Sequence, residues 1–575
     1  MTKLFQELQR RNVVKVGAAY AAVAWLVAQI AETVFPVFAL PDALLRGVFV
    51  ALGLGFPVTL VLAWIYDLTP EGIRRTDDMP EGAARISGRG LNFTIIGCLV
   101  VAVLFLAFDR FIWHPPASTD FRSIAVLPFA ADAGDAEATY LSGGIADSLI
   151  MRLSRLPKLK VKSRPMMQDS EQDVQALGNL LGVETVCTGR VVRRGDIIEI
   201  AVQLVNVLDG TIMWSQRLQR NLSALVSVEG EVSAEIASAL SIELSDEEAA
   251  SLAKSPTDNV EAYRLYLRGR HMWNQRSGDS LYASADFYRQ AVDLDPGYAL
   301  AWSGLADAYL MLFGWGIEAS QDVAPLAQAA AQRAIELDPT LAQPYATLGY
   351  YKTLFERDWD GAEAAFLRAI ELNDGYSTAH HWYAFLLSTR GESKAAIDEV
   401  LKARESEPLS PIINAEVGFF MAYDGQHRRA REELERASRW NPDFPMLLMG
   451  LTRTYALLGE TEKANESIER GIGSMAGNVT ALAFLKVALP FMGRADELRE
   501  FYEYALQESE NGYVMPGVLG VIAAGLGDYD AAFKHFEDGL EERSLVVSWL
   551  RDPMITGIQE DPRYAEFMER IGLTP

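Results

Sequence analysis

The sequence predicts a multidomain chain: a three-helix transmembrane segment, then a small α/β domain with a mixed sheet, then an all-α solenoid of stacked helix pairs. Three observations predict it. Three nearly unbroken apolar runs fall in the first 115 residues, each approaching the roughly 20 residues a helix needs to cross a bilayer. Short strand-like runs alternate with helical spacings over 121–245. Beyond 260, glycine, alanine and proline return every 34 residues. At 575 residues the chain is too long for a single core.

The apolar runs predict membrane helices at about 16–35, 47–66 and 91–111 within a membrane domain 1–115. The first is too long for a signal peptide and no small-residue cleavage site follows it. Lys3, Arg10, Arg11 and Lys15 precede it, and Arg74, Arg75, Arg85 and Arg89 lie between the second and third runs. The connection Pro36 to Leu45 holds no Lys or Arg. The positive-inside rule then puts the N-terminus in the cytoplasm and everything after Trp113 across the membrane. The expectation is a multi-pass bacterial inner-membrane protein with a periplasmic C-terminal region and the lipid bilayer as one partner.

A polar linker, 116–122, leads to the α/β domain, 123–245. Ser123 to Phe129 reads as a buried strand, Tyr140 to Leu156 as a helix, Leu159 to Ser163 as a strand and Asp173 to Leu181 as a helix. Val186 to Val192 and Ile197 to Val207 form a hairpin about Arg194-Gly195-Asp196. Thr211 to Leu218 is the last strand and Asn221 to Leu244 the closing helix. Ser142-Gly143-Gly144 lacks the Lys-Ser/Thr of a P-loop and the third glycine of a dinucleotide fingerprint, so it reads as a helix-start turn.

Gly391, Gly425, Gly459, Gly493 and Gly527 are spaced by 34, as are Pro408 and Pro442, with Asp374 in the corresponding place one period earlier. Glycine permits the turn between two helices, and the small residues Ala396, Ala430 and Ala464 permit their close packing. Trp302-x-x-Leu305-Ala306-x-x-Tyr309, closed by Pro296 and Pro339, resembles the tetratricopeptide (TPR) repeat. Eight such repeats span 256–545. The 43-residue step from Pro296 to Pro339 implies a longer loop near Phe313-Gly-Trp-Gly316, and 546–575 reads as a capping segment.

The α/β stretch also carries a resemblance. Ser123-Ile-Ala-Val-Leu-Pro-Phe129, Tyr140-Leu-Ser-Gly-Gly-Ile-Ala-Asp147, Leu180-Leu-Gly-Val183 and Gly189-Arg-Val191 are similar to the TolB-like or FlgO-like domain of bacterial envelope proteins. Glu7-Leu-Gln-Arg-Arg-Asn12, Ala18-Ala-Tyr20 and Asp67-Leu-Thr-Pro-Glu-Gly72 resemble the membrane segment often joined to it. Family members usually lack a demonstrated enzymatic activity. Some carry a DNA-binding or cyclase domain at the amino end, and this sequence shows neither.

Basic and acidic residues balance over 1–120, so the net charge of −25 is carried by the remainder. Such an exterior disfavours nucleic acid. Cys98 and Cys187 have no partner spacing for a metal or redox motif. His380 and His381 are adjacent on a helix and diverge, and His114, His271, His427 and His535 are isolated. The expectation is no catalytic residue, no cofactor and no metal: not an enzyme. The resemblance to tetratricopeptide repeats implies a concave groove lined by the first helix of each pair, where a protein partner docks. The candidate groove residues are Asp307, Tyr350, His381, Phe385, Glu416, Phe420, Arg453 and Lys486. The leading reading is an interaction scaffold. A second is a sensor that binds a ligand in the α/β domain or groove, with output from a cytoplasmic partner. A third, an enzyme site between the α/β domain and the first repeat, requires a strongly perturbed carboxylate in a deep pocket there.

Overall fold

The structure is a computed structural model that describes residues 13–37, 42–69, 72–75, 122–132, 135–163, 173–544 and 547–574. It comprises two compact units, Met1–Ser118 and Thr119–Pro575.

In the first unit two helices, α1 (Val13–Val37) and α2 (Asp42–Ile65), pack together, and a hairpin of β1 (Tyr66–Thr69) and β2 (Gly72–Arg75) follows. The Tyr20 hydroxyl donates to the Leu52 carbonyl at 2.8 Å, and the Tyr20 and Phe56 rings lie 5.7 Å apart. Among the described residues no helix is long and apolar enough to cross a membrane. This overturns the expected three-helix transmembrane segment, and with it the multi-pass inner-membrane placement with a periplasmic C-terminal region. Lys15, Gln29 and Glu32 interrupt α1, leaving only 16–28 free of polar breaks other than Tyr20 and Trp25; α2 carries Asp42 and Arg46 at its start and Pro57 inside. The two helices pack on one another. Val23, Trp25, Leu54 and Val58 are nonetheless exposed. The third run, 91–111, lies outside the described residues.

The second unit begins with the mixed sheet, β3 (Ser123–Val126), β4 (Ala130–Ala131), β5 (Lys160–Ser163), β6 (Thr185–Arg194), β7 (Ile197–Asn206) and β8 (Ile212–Asn221), in the order β5-β3-β6-β7-β8 with β4 beside β6. β3 runs parallel to both β5 and β6, while β6, β7 and β8 are antiparallel. A central strand with both faces covered must be apolar throughout. Ile124, Ala125 and Val126 are accordingly inaccessible.

One sheet face is covered by α3 (Ala136–Leu153) and α5 (Leu225–Ala239), the other by α4 (Val174–Leu181). Helix α3 starts at Ala136 rather than Tyr140 because Asp135 caps it, accepting from the Glu137 and Ala138 amides at 2.9 and 3.0 Å. Gly143 and Gly144 therefore lie inside a helix, not at its first turn. The expected closing helix, Asn221 to Leu244, is shorter: Asn221 ends β8 and α5 covers Leu225–Ala239, while α6 (Asp246–Ala253) starts beyond it from a Ser245–Glu248 capping box.

Eight helix pairs follow. They are α7 (Val260–Gln275) with α8 (Gly278–Leu294), α9 (Ala299–Gly314) with α10 (Ser320–Leu337), α11 (Gln343–Tyr351) with α12 (Trp359–Leu372), and α13 (Ser377–Arg390) with α14 (Ser393–Ser406). Then come α15 (Pro411–Tyr423) with α16 (His427–Ser438), α17 (Pro445–Leu458) with α18 (Thr461–Ser474), α19 (Val479–Lys486) with α20 (Ala495–Asn511), and α21 (Pro516–Gly525) with α22 (Tyr529–Glu541). The glycines spaced by 34 all have φ between +73° and +86°, the left-handed turn that ends the first helix of a pair. The chain is a TPR-type helical repeat protein.

Two further packings shape this unit. The α/β domain lies along the edge made by the turns that close successive repeats. Lys254 pairs with Asp338 at 2.7 Å, Asn373 Nδ2 donates to Ser154 Oγ at 3.1 Å, and Leu409 and Trp440 join the α4 face of the sheet. The C-terminal segment, two 3₁₀ turns (Val547–Arg551 and Pro553–Glu560) and α23 (Pro562–Arg570), runs back across the first helices of earlier pairs. Arg551 Nε donates to the Thr389 carbonyl at 3.1 Å, and Trp359 Nε1 to the Ile571 carbonyl at 3.0 Å.

Candidate functional site: groove and seam

Side chains from the first helices of six consecutive pairs converge on one cavity of about 200 Å³ in the inner face of the solenoid. Tyr350 of α11 stacks on Trp382 of α13 with centroids 4.7 Å apart, and meets the Phe385 ring edge-on at 5.5 Å. Phe419 and Phe420 of α15, Met446 and Met449 of α17 and Phe484 of α19 continue the lining. Trp549, from the C-terminal segment, closes it by an edge contact to Phe484 at 4.5 Å.

The polar groups are few. His381 Nε2 lies 2.7 Å from Glu416 Oε2, an ion pair when the imidazole is protonated. Arg276, at the end of α7, spreads over the Trp273 ring at 3.5 Å, and burial pushes its guanidinium down to about 10. A cavity with aromatic and thioether walls and a small number of fixed polar groups suits an apolar side chain with one polar end.

Of the eight residues predicted for the groove, Tyr350, His381, Phe385, Glu416 and Phe420 line this cavity. The other three are elsewhere. Asp307 is buried and accepts from the Thr347 hydroxyl. Arg453 is consumed by a buried ion pair with Asp552 of the C-terminal segment. Lys486 rests over the Phe501 ring at 4.8 Å. Sequence reasoning missed Trp315, Trp382, Phe419, Phe484, Arg276 and Trp549. The first-helix aromatics share a period with the predicted ones and were open to discovery; Trp549 arrives by long-range packing and left no periodic signal.

The second place where charged side chains converge is the seam between α3 and the first repeats. Gly144 permits it, because a Cβ there would stand 2.8 Å from Leu267 Cδ2 of α7. Glu137 binds Arg193 at 2.9 Å and also Arg264, and Asp147 faces Arg270 at 3.6 Å. Behind them Glu229 of α5 is fully buried and receives the hydroxyls of Ser148 and Tyr263; burial pushes its carboxyl up to about 7. Glu229 is absent from the lining of the adjacent cavity, behind Ser148 and Tyr263, whereas Asp147 lines it and burial raises its carboxyl as well. The Cys187 thiol, in the sheet core, is pushed up to about 12 by burial.

Residues 119–236 match the family described as the HilA/YgeH-like transcriptional regulator, second domain. The match gives the expected TolB-like assignment of this region no support. The chain is 30% identical over 239 residues, 41% of its length, to the "Putative adenylate cyclase 3" of Rhizobium meliloti (strain 1021), covering 40% of that protein. It is 25% identical over 313 residues, 52% of its length, to the transcriptional regulator HilA of Salmonella typhimurium, covering 54% of that one. The chain thus spans about half, or less, of the curated relatives it matches. Among solved structures, human IFIT1 with PPP-AAAA overlaps 55% of this chain and 85% of its own at a TM-score of 0.36 and 14% identity. YrrB, described as a TPR protein with an unusual peptide-binding site, overlaps 34% of this chain and 97% of its own at 0.24 and 19%. These superpositions are loose, and the repeat fold rests on the helix pairs of the chain itself.

Proposed function

We propose that the chain is a protein-interaction scaffold whose solenoid groove captures a short apolar segment of another protein, without a catalytic step. One observation carries the reading: six consecutive first helices bring aromatic and methionine side chains to the wall of one cavity. Aromatic anchors surrounded by a polar rim concentrate binding energy in a few contacts. The reading is tested by placing a photo-crosslinking phenylalanine analogue at Phe385 or Phe420 of the full chain in cells that make it. A discrete partner adduct is expected at both positions, absent when the analogue replaces the exposed Leu367 of α12 and lost when Trp382→Ala is added. Equal labelling from all three positions would refute the groove.

We also propose an input role for the α/β domain with the repeats. Two relatives with different named outputs, an adenylate cyclase and a transcriptional regulator, share sequence with this chain. Similarity to proteins of two differently named kinds fits a part that receives a signal or docks a partner rather than one that performs either output.

A further inference from the structure

A separate cavity of about 160 Å³ opens at the seam, bounded by α3, α6, α7 and the closing turns at 297–300 and 337–341. Its lining holds four basic side chains, Arg152, Arg155, Lys254 and Arg270, against two acidic ones, Asp147 and Asp338. The acids are already engaged: Asp338 by Lys254 at 2.7 Å and Asp147 by Arg270 at 3.6 Å. Two guanidiniums remain. Arg152, 8% exposed, donates Nη1 to the carbonyls of Leu252 and Lys254 at 2.6 and 3.0 Å and has no carboxylate within ion-pair distance among the described residues.

Arg155 has neither a hydrogen bond nor an ion pair from its side chain among the described residues, although it lines the same cavity. Arg152, Tyr266 and Asp338 face it, and desolvation lowers its pKa. A half-buried guanidinium with no ion pair of its own, with Asp338 already held by Lys254, is available to an anion. It is unexpected in a chain with 25 more acidic than basic residues. The turn at Tyr298 adds to the same field, since no side chain caps the N-terminus of α9, and Ala299 and Leu300 at that end line the cavity. The remaining wall is apolar: Met151, Tyr263, Tyr266, Leu300 and Leu341.

We infer that the seam cavity is a binding site for a small organic oxyanion, a carboxylate or phosphate monoester, whose anionic group meets Arg155 and Arg152 and whose apolar part lies on Tyr266, Leu300 and Leu341. Such a ligand bridges α3 and the closing turns of two repeats, so its occupancy would tighten the α/β domain on the solenoid. The inference is independent of the groove, which lies on other faces of the helices.

The test is thermal unfolding of the purified full chain with benzoate, phenyl phosphate or inorganic phosphate, each against chloride at equal ionic strength. Benzoate or phenyl phosphate should raise the midpoint saturably, as expected for a ligand that binds only the folded state. Benzoate alone identifies a carboxylate, and phenyl phosphate alone a phosphate monoester. Inorganic phosphate matching phenyl phosphate identifies free phosphate as the source. Arg155→Ala should weaken the apparent affinity by about tenfold or more. It should also leave the anion-free midpoint unchanged or higher, because it removes an unpaired charge. No saturable rise with any probe, a rise retained in Arg155→Ala, or an anion-free midpoint lowered by several degrees would each overturn the site.

Discussion

The groove and the closing-turn edge belong to the same repeats, yet they differ in what their side chains are for. At the edge, the turns contribute aspartates, backbone carbonyls and small residues: Asn373 and Asp338 reach Ser154 and Lys254 on the side of the α/β domain, while Asp295 and Asp443 are held by Thr257 and Arg470 within the repeats. In the groove, the first helices contribute aromatic rings that meet one another, the Arg453 guanidinium and the C-terminal segment. One 34-residue pattern serves two ends: the positions that close a repeat are used within the chain, and those one helix away line the cavity for which docking is proposed.

The comparison is tested most severely where the C-terminal segment enters the groove. Arg453 and Asp552 are both buried and paired. Arg453→Ala, which strands the carboxylate, should destabilise the fold by about 3–5 kcal/mol. Arg453→Met combined with Asp552→Asn, which keeps an acceptor for the Met554 amide, should cost clearly less. Urea midpoints of the two variants decide it: equal losses would mean the pair matters by shape and not by charge.

At the seam the expected effect is on pH dependence. Burial raises the Glu229 carboxyl from 4.5 to about 7, and that of Asp307 from 3.8 to about 7. The folded chain therefore holds more protons than the unfolded chain between about pH 4 and pH 7, and these two groups make stability fall as pH rises through that window. Glu229→Gln should remove about 3 kcal/mol of that fall at most, and adding Asp307→Asn should flatten the rest, measured as urea midpoints from pH 4.5 to 8. A slope unchanged in both variants would place its origin elsewhere.

The smallest effect is expected at Lys486, which the sequence assigns to the groove and the structure places over Phe501. Lys486→Ala should cost about 0.5–1 kcal/mol at most and leave crosslinking from Phe420 intact. Loss of the crosslink would return Lys486 to the groove.

The helix pairs were legible because their spacing is local and repeated: a left-handed glycine every 34 residues marks the turns of the last five pairs. The mixed sheet was legible because β3 is apolar on both faces and Gly195 and Gly210 mark the strand connections. Helix α3 was misjudged at its start, since the glycine pair was read as a turn signal when Gly144 serves contact with Leu267. The first unit misled more. Its first two apolar runs are helices, but Lys15, Glu32 and Pro57 weigh differently in a packed pair than in a count of apolar residues. In the groove, periodicity located Tyr350, Phe385 and Phe420, whereas Arg453 could not be separated from them, because its partner Asp552 is distant in sequence.

One consequence of the C-terminal run concerns mechanics. Stacked repeats ordinarily behave as a spring, each coil answering only to its neighbours, so that they lengthen and unravel from their ends. Here the Ser320 hydroxyl reaches the Glu542 carbonyl, Asn478 Nδ2 the Trp315 carbonyl at 3.2 Å, and the Trp359 indole the Ile571 carbonyl at 3.0 Å. Those bonds fasten late coils to early ones, as a buckle fastens a belt. A tug on the last helix is then felt by the second and third pairs at once, and the array resists stretching as a single hoop.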